Sequence, residues 1–500
     1  MDLLDWIERH AGFTPEKTAI RFAGADLSYR AFHGLCLRMA GLLEAELGIG
    51  RGDRVALLGA NSPDLLALFF ACSRLGAIFV PLNWRLAAPE VKTLLADCRP
   101  KALFVEAEFQ PVIDALGADP VPPRTVAMGT PLAQRLAAIA PTAIRRGGPD
   151  DAQLICYTSG TTGAPKGAML SQNSFVFNAI HSTHLNDLRT GDTVLSTLPM
   201  FHVGGLNIQS LPALHAGARL ILHPRFDPDA FLDAVERERP DLTLVVPAQL
   251  TALFNHPRWD KADLSSLRRI GIGSTLVPEA LFKPMQARGL DMVQVYGLTE
   301  TSPIATYQTP EMARRKPTSA GRAALHCEIR VVDEAGADRA TGVSGEILVR
   351  GPNVMMGYWN QPEASAEVLT DGWFHTGDIG HFDDEGILVV DDRKKDMIIS
   401  GGENIYPAAL EQILAECGDI AESAVVGRAD ERWGEVAVAV VVPKPGRVLD
   451  PARVSALFQD RVARYKHPRD VVFVDRLPRN AMGKVVKADV RKMVSRENKS

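Results

Sequence analysis

The stretch Tyr157-Thr-Ser-Gly-Thr-Thr-Gly-Ala-Pro-Lys-Gly-Ala168 follows directly on the apolar run Leu154–Cys156. A glycine- and hydroxyl-rich loop at the end of a strand can wrap backbone N–H groups and O–H donors around phosphate oxygens, and Lys166 adds a mobile positive charge. The loop is not a Walker A motif, because Ala164 and Pro165 separate the last loop glycine from the lysine. The stretch therefore predicts a phosphate clamp that follows a buried strand.

On both sides of this loop, helical patterns alternate with short β-branched runs through the first 390 residues. The alternation is typical of α/β layers with parallel sheets. The predicted strands are Arg54–Leu58, Ala77–Val80, Ala102–Val105, Leu154–Tyr157, Thr193–Leu198, Arg219–Leu222, Leu242–Val246 and Met292–Val295. Leu65–Leu82 is broken by Ser73-Arg74 and ends at a proline, so it predicts a core helix and a buried strand, not a transmembrane span.

Two changes of pattern divide the chain into parts. Ile329–Val332 and Glu346–Val349 flank a Gly/Asp-rich turn and predict antiparallel strands in a small β-barrel or distorted sheet. After Asp392-Arg-Lys-Lys-Asp396 the pattern restarts and predicts a small α+β unit. Its expected elements are a loop (Ser400–Asn404), helices (Ala408–Cys417, Ala452–Tyr465) and strands (Ala421–Val426, Val436–Val442, Val471–Val474). We expect a large domain over residues 1–392, a hinge at 393–396 and a small domain over 397–500.

Composition excludes several classes of protein. The 500 residues include 55 basic and 60 acidic side chains, a net charge of −5, and no basic stripe with interleaved aromatics, so a nucleic-acid partner is not expected. The six cysteines are scattered, without metal-ligand spacing, and the N-terminus carries acids where a signal peptide needs bases. These features predict a reducing, cytoplasmic location and no structural zinc.

Four further motifs accompany the loop. They are Tyr296-Gly-Leu-Thr-Glu-Thr301, Gly372-Trp-Phe-His-Thr-Gly-Asp378, Asp392-Arg-Lys-Lys-Asp396 and Pro478-Arg-Asn-Ala-Met-Gly-Lys484. In this order, the five segments resemble the adenylate-forming superfamily of acyl-CoA synthetases, peptide-synthetase adenylation domains and firefly-type luciferases. The resemblance covers essentially the whole chain. It implies a large AMP-binding domain and a small mobile C-terminal domain.

The resemblance implies that ATP, coenzyme A and Mg²⁺ are used to make an acyl-AMP and then an acyl-CoA. A carboxylate that attacks the α-phosphate meets repulsion between two anions, so cations are needed at the reacting centre. Lys484 is the expected main stabiliser, and Glu300 is expected to hold Mg²⁺ with Thr158 or Thr161 nearby. Asp378 and Arg393 would bind the ribose, Tyr296 the adenine and Thr299 the α-phosphate. The remaining nucleotide-binding residues implied are Ser159, Gly160, Thr162, Gly163, Lys166, Gly273, Ser274, Thr275 and Gly297.

One segment departs from the family pattern. In Ile270-Gly-Ile-Gly-Ser-Thr-Leu-Val-Pro278, Thr275 and Leu276 stand where the family usually has Ala and Pro. This segment lines the adenine and the acyl group in the family. The departure bears on the shape of the pocket and not on the reaction.

Thioester formation requires a second nucleophile to reach the same acyl carbon. The resemblance implies that the C-terminal domain swings about Lys395, so that Lys484 enters the site in one orientation and Gly401, Gly402 and Glu403 line a pantetheine tunnel in the other. His202 would be a gate between the tunnel and the acyl pocket. The expected acyl pocket contains Phe201, Val203, Gly204, Gly205, Ile208, Ser302, Pro303 and Ile304, beside Gly297.

None of these pocket positions is charged, and the paired glycines were expected to make room for bulk. The pocket therefore predicts an apolar monocarboxylate: a medium or long fatty acid, an aromatic or alicyclic acid, or a steroid-derived side chain. Two alternatives stay open at this point: a ligase that loads a pantetheinyl carrier protein, and a luciferase-like oxygenase that uses the adenylate. Homodimer formation is common in the family and stays open as well.

Overall fold

The computed structural model describes residues 1–117, 124–142, 144–158, 165–273, 277, 279–400, 403–430, 433–459, 461–462, 464–480 and 483–496. Within these ranges the chain forms four β-sheets covered by helices. The predicted α/β class, with a large N-terminal and a small C-terminal domain, is confirmed.

The strands follow one another along the chain as β1 Thr18–Phe22, β2 Ala25–Ser28, β3 Arg54–Leu58, β4 Ile78–Leu82, β5 Ala102–Val105, β6 Thr125–Ala127, β7 Ala152–Thr158, β8 Lys166–Ser171, β9 Thr193–Ser196, β10 Arg219–Leu222, β11 Leu242–Val245, β12 Arg269–Ile272, β13 Met292–Tyr296, β14 Thr306–Tyr307, β15 Arg322–Ala323, β16 Glu328–Val332, β17 Gly345–Arg350, β18 Gly357–Tyr358, β19 Leu369–Thr370, β20 Trp373–Phe382, β21 Leu388–Arg393, β22 Ile398–Ser400, β23 Glu403–Ile405, β24 Ile420–Asp430, β25 Gly434–Pro443 and β26 Asp470–Phe473.

The α-helices are α1 Leu4–Phe13, α2 Tyr29–Gly41, α3 Pro63–Leu75, α4 Ala88–Cys98, α5 Gln110–Asp114, α6 Thr130–Ala138, α7 Gln172–Asn186, α8 Val203–Gly205, α9 Leu211–Ala216, α10 Pro228–Glu238, α11 Pro247–Phe254, α12 Phe282–Ala287, α13 Pro310–Arg315, α14 Pro362–Val368, α15 Pro407–Ala415, α16 Pro451–Ala456 and α17 Lys487–Arg496. Leu42–Glu46 and Leu206–Ser210 are π-helical turns, and Ala107–Phe109, Glu279–Leu281, Thr299–Thr301 and Arg464–Lys466 are 3-10 turns.

Two mainly parallel sheets build the large domain. One has the strand order β18-β8-β7-β4-β3-β5-β6 and the other β15-β14-β13-β12-β11-β9-β10-β1-β2. The strands between β9 and β13 run parallel, as the alternating pattern predicts. The phosphate-loop segment differs, because β7 and β8 pair antiparallel.

The main hydrophobic core includes α2, α3 and residues of both large sheets. Helix α3 begins with the hydroxyl of Ser62 accepting a hydrogen bond from the Leu65 N–H, and it ends at Gly76 in the left-handed conformation. All its residues from Leu65 to Leu75 are buried, and so are all five of β4. The predicted core helix and buried strand are confirmed. Among the described residues, no helix is long and apolar enough to cross a membrane.

The N-terminal helix α1 is tied to this core through ion pairs with Arg74, whose side chain is 2% exposed. The guanidinium lies 3.4 Å from Asp2, 3.5 Å from Asp5 and 3.1 Å from Glu8. Removing these carboxylates would leave the buried guanidinium of Arg74 without a counter-charge, which costs free energy of folding. The three ion pairs therefore fix the position of α1.

The other two sheets follow along the chain. Strands β16, β17, β20 and β19, with β21 at the side of β20, form a five-stranded antiparallel sheet with register shifts. The antiparallel pairing of β16 and β17 is as predicted. The chain passes after Arg393 to the last sheet, which has the order β23-β22-β25-β24, with β26 beside β25.

Two predicted elements of the small domain are wrong. The segment Ser400–Asn404 is not a loop throughout, because Ser400 ends β22 and Glu403 and Asn404 begin β23, which pairs with it. A helix was expected over Ala452–Tyr465, but α16 ends at Ala456. The following backbone forms turns, such as the bond from the Leu457 N–H to the Val454 carbonyl, and Phe458 is fully buried in the core of this domain. The apolar spacing that predicted a longer helix is therefore produced by a short helix followed by turns that carry Phe458 into the core.

Candidate active site

The ends of the predicted phosphate loop are held by an antiparallel hairpin. Thr158, the last residue of β7, lies opposite Lys166, the first residue of β8. The Thr158 hydroxyl also donates to the Lys166 carbonyl at 3.3 Å. The loop residues Ser159, Gly160, Thr161, Thr162 and Gly163 lie outside the described residues. The hairpin thus fixes where the loop leaves and rejoins the sheet.

Glu300 is buried in the 3-10 turn after β13, with 8% of its surface exposed. Burial raises the pKa of its carboxyl, against the opposing effects of its hydrogen bonds and of Arg393. An ionised carboxylate in such a place requires compensating positive charge. The donor type and the burial therefore fit a bound Mg²⁺, which prefers carboxylate oxygen.

A segment that the sequence analysis did not single out supports the turn around Glu300. The Asn353 amide donates to the carbonyls of Thr301 at 2.7 Å and Ile304 at 2.9 Å. The Met355 N–H donates to the Glu300 carbonyl at 2.8 Å. These hydrogen bonds pair the backbone carbonyls of the turn and so fix the position of Glu300.

Tyr358 lies between the carboxylate of Glu300 and the ammonium of Lys166. Its hydroxyl donates to Glu300 Oε1 at 2.9 Å, and the ammonium of Lys166 lies 5.0 Å from the centre of its ring. A cation at this distance from a ring face is attracted by the ring electrons. Tyr358 therefore orients the carboxylate and holds the lysine of the phosphate hairpin on the same side.

A second polar group joins three strands, β13, β20 and β21. Asp378 of β20 lies opposite Arg393 of β21 in register, and Arg393 Nε is 3.0 Å from Asp378 Oδ1. The hydroxyl of Tyr296, at the end of β13, donates to Asp378 Oδ2 at 3.0 Å. The carboxylate of Asp378 raises the pKa of Arg393. The predicted adenine and ribose residues therefore lie together.

Lys484 enters this group from the small domain. Burial lowers the pKa of its ammonium to about 8, Arg393 and Lys395 act in the same direction, and Asp378 and Asp396 oppose them. Next to it, a Cβ on Gly483 would lie 3.8 Å from the Ala248 side chain of α11. The loop that carries Lys484 thus packs against the large domain, more than 300 positions from the phosphate loop in sequence.

The residues between the two domains form a turn held from both sides. The Lys394 N–H donates to the Gly377 carbonyl at 2.9 Å. The Arg491 guanidinium of α17 lies 3.2 Å from the Lys395 carbonyl and 2.8 Å from Asp396 Oδ1. Burial is the main cause that lowers the pKa of Lys395. The predicted hinge is therefore anchored to both domains in this arrangement.

Of the residues expected at the thiol tunnel, only Glu403 is among the described residues. Gly401 and Gly402 lie outside the described residues. Glu403 is exposed at the start of β23, which pairs with β22 in the small domain.

His202 is partly buried, with its Nε2 removed from solvent, and it lies against Phe201 with 4.6 Å between the ring centres. Burial lowers the pKa of His202 to about 3, so the ring is neutral at physiological pH. Within the described part of the chain, its Nε2 has no hydrogen-bond partner. A neutral imidazole next to an aromatic ring is compatible with a gate but not with a charged acid.

The expected acyl residues form two facing segments. Phe201, Val203 and Ile208 are buried on one, and Ile304 is buried on the other. Ile208 and Ile304 belong to one hydrophobic cluster with Leu198 and Leu244.

The glycines of these segments differ in what they do. A Cβ on Gly204 would meet no atom within 4 Å, as expected for a position that leaves room. A Cβ on Gly205 would lie 2.4 Å from the Pro199 carbonyl oxygen, and one on Gly297 1.6 Å from that of Pro303. The expectation that both paired glycines make room is wrong for Gly205, because close backbone packing requires glycine there.

The remaining predicted residues have these places. Thr299 interacts with the thiol of Cys156 on β7, next to the phosphate hairpin. Gly273 directly follows β12, and Ser302 and Pro303 follow the turn of Glu300. Ser274 and Thr275 lie outside the described residues.

A cavity of about 790 Å³ lies elsewhere, at the ends of β3 and β10. Asn61, Glu106, His223 and Arg225 are among the residues that line it. None of the described motif residues contributes to it.

Comparison with known proteins identifies the family of the chain. Residues 7–359 match the model for AMP-binding enzymes, and residues 409–484 match the model for the AMP-binding enzyme C-terminal domain. An indoleacetate–CoA ligase of Aromatoleum aromaticum is 56% identical over 99% of each chain, and a feruloyl-CoA synthase of an Amycolatopsis species is 42% identical over 97% of this chain and 98% of the relative. A crystal structure of ATP-bound MatB from Rhodopseudomonas palustris matches with a TM-score of 0.93 at 33% identity, covering 100% of both chains. The chain therefore belongs to the AMP-binding enzyme family, within the adenylate-forming superfamily of acyl-CoA synthetases.

Proposed function

We propose that the chain joins an apolar aromatic acid to coenzyme A at the expense of ATP. The observation that carries this proposal is the approach of Lys484 to Asp378 and Arg393, next to the buried carboxylate of Glu300. Such a site has a cation where a carboxylate and a phosphate must meet.

In the first half-reaction, an oxygen of the substrate carboxylate attacks the α-phosphorus of ATP and pyrophosphate leaves. Lys484 would contact both anions and stabilise the charge that develops between them. Asp378 would accept hydrogen bonds from the ribose, Arg393 would hold Asp378 and donate to the sugar, and Tyr296 would lie against adenine. Lys166 and the phosphate loop would bind the departing phosphates.

Glu300 would hold Mg²⁺, with Thr158 as a nearby oxygen. The ion, when bound, neutralises part of the phosphate charge. Tyr358 would keep the carboxylate of Glu300 oriented through its hydrogen bond of 2.9 Å.

In the second half-reaction, the thiol of coenzyme A attacks the acyl carbon and AMP leaves. We propose that rotation about Lys395 then withdraws Lys484 and brings the segment at Gly401, Gly402 and Glu403 to the site. Glu403 is exposed at the start of β23, while Lys484 is buried, which supports two alternating orientations of the small domain.

The proposed substrate class rests on the two facing apolar segments and on the relatives. Residues 201–208 and 302–304 carry no charged side chain that could bind a second carboxylate or an ammonium group. The acids in the names of the two relatives, indoleacetate and ferulate, are both aromatic. Both also carry one polar hydrogen on the ring system, an indole N–H or a phenol O–H.

A panel of acids tests this proposal. Pyrophosphate release would be measured with arylacetic, phenylpropenoic, benzoic and cyclohexane acids and with saturated fatty acids from acetate to stearate. We expect the highest kcat/KM with an arylacetic or phenylpropenoic acid. A tenfold or greater preference for a fatty acid would contradict the substrate class, and it would leave the ligase reaction intact.

The acyl acceptor is tested separately. Coenzyme A and a holo-carrier protein would be offered to the enzyme with its best acid, and thioester formation would be followed. We expect coenzyme A to be the better acceptor, whereas a faster reaction with the carrier, or light emission and oxygen uptake, would contradict the proposal.

A further inference from the structure

The carboxylate of Asp392 joins the two domains directly before the hinge. Asp392 lies near the end of β21, where it pairs with Ile379 of β20 in the large domain, and it is 4% exposed. Its Oδ2 accepts a hydrogen bond from the Ala408 N–H at 2.9 Å. Ala408 is the second residue of helix α15 in the small domain. This hydrogen bond therefore crosses from one domain to the other.

Helix α15 has no cap from its own N-cap residue. The first N–H groups of a helix have no partner within the helix, and a Ser, Thr, Asp or Asn side chain at the N-cap usually accepts one of them. In α15 the N-cap residue is Tyr406, whose side chain makes no such bond, and Pro407 follows without an N–H. The carboxylate of Asp392 takes the place of the missing cap, and its negative charge is favourable at the positive end of the helix dipole.

Lys487 of α17 supplies a positive charge close to this cap. Its ammonium lies 3.0 Å from Glu411 Oε1 of α15, and 16% of its side chain is exposed. Burial raises the pKa of Asp392, and the charge of Lys487 opposes that effect. Because Glu411 belongs to the same domain as Lys487, the lysine keeps a counter-charge when Asp392 is withdrawn or substituted.

The rotation proposed above breaks the bond between the domains. Asp392 precedes the pivot at Lys395, so it stays with the large domain when the small domain turns. Ala408 follows the pivot and moves together with Lys484. The bond is made in the orientation described here, in which Lys484 is buried and the charge of Arg393 acts on it. A contact that is made in one of two states stabilises that state alone.

We propose that Asp392 is a positioning residue for the first half-reaction: by capping α15, it holds the small domain in the orientation that brings Lys484 to the nucleotide. Asp392 acts through Lys484 and does not touch the reacting atoms. This inference rests on the proposed function, because it requires two orientations that alternate about Lys395. Loss of the cap shifts the population of orientations away from adenylation and towards thioester formation.

The test measures both half-reactions in the wild type, Asp392→Ala and Asp392→Ser. ATP–pyrophosphate exchange reports the first half-reaction, and the reaction of supplied acyl-AMP with coenzyme A reports the second. Each rate follows the population of its own orientation, so the ratio of the two rates follows the equilibrium between them. We expect the ratio of exchange to thioester formation to fall about fivefold, which corresponds to the loss of one helix cap.

The two variants and a third one separate capping from folding. Asp392→Ser keeps a polar side chain in the strand but ends too short to reach the Ala408 N–H, so it gives the same comparison if the alanine variant does not fold. Asp392→Asn keeps an oxygen that can accept the Ala408 N–H, and asparagine caps helices about as well as aspartate. Asp392→Asn should therefore restore most of the wild-type ratio.

Asp391 provides the matched control. It directly precedes Asp392, and its carboxylate accepts the Ser344 hydroxyl at 2.6 Å and lies 3.1 Å from His381 Nδ1. Both partners belong to the large domain. Asp391→Ala thus removes a carboxylate from the same strand without removing a contact between the domains, and the ratio should stay at the wild-type value.

Three results would overturn the inference. Equal losses of both half-reactions in the alanine and serine variants would assign Asp392 to the nucleotide site, where its Oδ1 accepts the Arg393 N–H at 2.7 Å. A wild-type ratio in both variants would show that the cap does not select an orientation. The same fall of the ratio in Asp391→Ala would show that the effect does not come from the contact between the domains.

Failure of the proposed function would look different. In that case the wild type itself would show no pyrophosphate exchange with any acid, or it would not transfer the acyl group of a supplied acyl-AMP to coenzyme A. Either result would remove the proposed function and this inference together. A wild type that performs both half-reactions, with an unchanged ratio in the variants, would overturn the role of Asp392 alone.

Discussion

The low pKa of Lys484 predicts that adenylation is lost as the pH rises. The ammonium form carries the charge that meets the carboxylate and the α-phosphate, so activity belongs to the protonated enzyme. With a pKa of about 8, chiefly because of burial, about nine-tenths of the lysines are charged at pH 7 and about one-tenth at pH 9. The kcat/KM for acyl-AMP formation should therefore fall about tenfold over this range.

The assay is ATP–pyrophosphate exchange with a fixed acid, measured against pH. The pH dependence of kcat/KM gives the pKa of the lysine in the free enzyme, and that of kcat gives its pKa in the enzyme–substrate complex. The bound anions raise the pKa of the lysine, so the break in kcat should lie at higher pH than the break in kcat/KM.

Lys484→Arg is the matched control, because the guanidinium stays charged throughout this range. Its residual activity should show no break near pH 8. A wild-type profile that stays flat to pH 9, or the same break in Lys484→Arg, would refute the reasoning.

Three further substitutions test other parts of the account. Tyr358→Phe removes the hydrogen bond to Glu300 and should lower the rate of adenylation about tenfold. It should also raise the Mg²⁺ concentration that gives the half-maximal rate. An unchanged Mg²⁺ dependence would show that Tyr358 does not orient Glu300 for the ion. Lys395→Pro should impair thioester formation more than pyrophosphate exchange, because a stiff hinge holds one orientation; equal losses would contradict the hinge. Arg74→Met leaves Asp2 buried without its cation and should lower the free energy of unfolding by about 3–5 kcal/mol. The loss would be measured as a lower midpoint of urea unfolding. A loss of less than about 1 kcal/mol would show that the ion pairs contribute little to stability.

Much of the large domain could be predicted from the sequence. Strands buried on both faces appear as short apolar runs, and the predicted bounds of Arg54–Leu58, Ala102–Val105 and Arg219–Leu222 agree with the structure. The helix expected to continue to Tyr465 ends at Ala456, because apolar spacing alone does not distinguish a long helix from a short one followed by turns that bury Phe458.

The candidate site shows the same limit. Motif residues such as Glu300 and Asp378 are identified by their neighbours in sequence. Tyr358 is not, because the two-residue strand that carries it is placed only by pairing with β8, where Tyr358 lies opposite Ala168.

The central claim is that Lys484 acts from the small domain on the first half-reaction alone. The most direct measurement is a comparison of both half-reactions in Lys484→Ala. Acyl-AMP formation should fall on the order of 10²–10³-fold, while acyl-AMP supplied from outside should still react with coenzyme A at close to the wild-type rate. Unchanged acyl-AMP formation, or an equal loss in both half-reactions, would contradict the account.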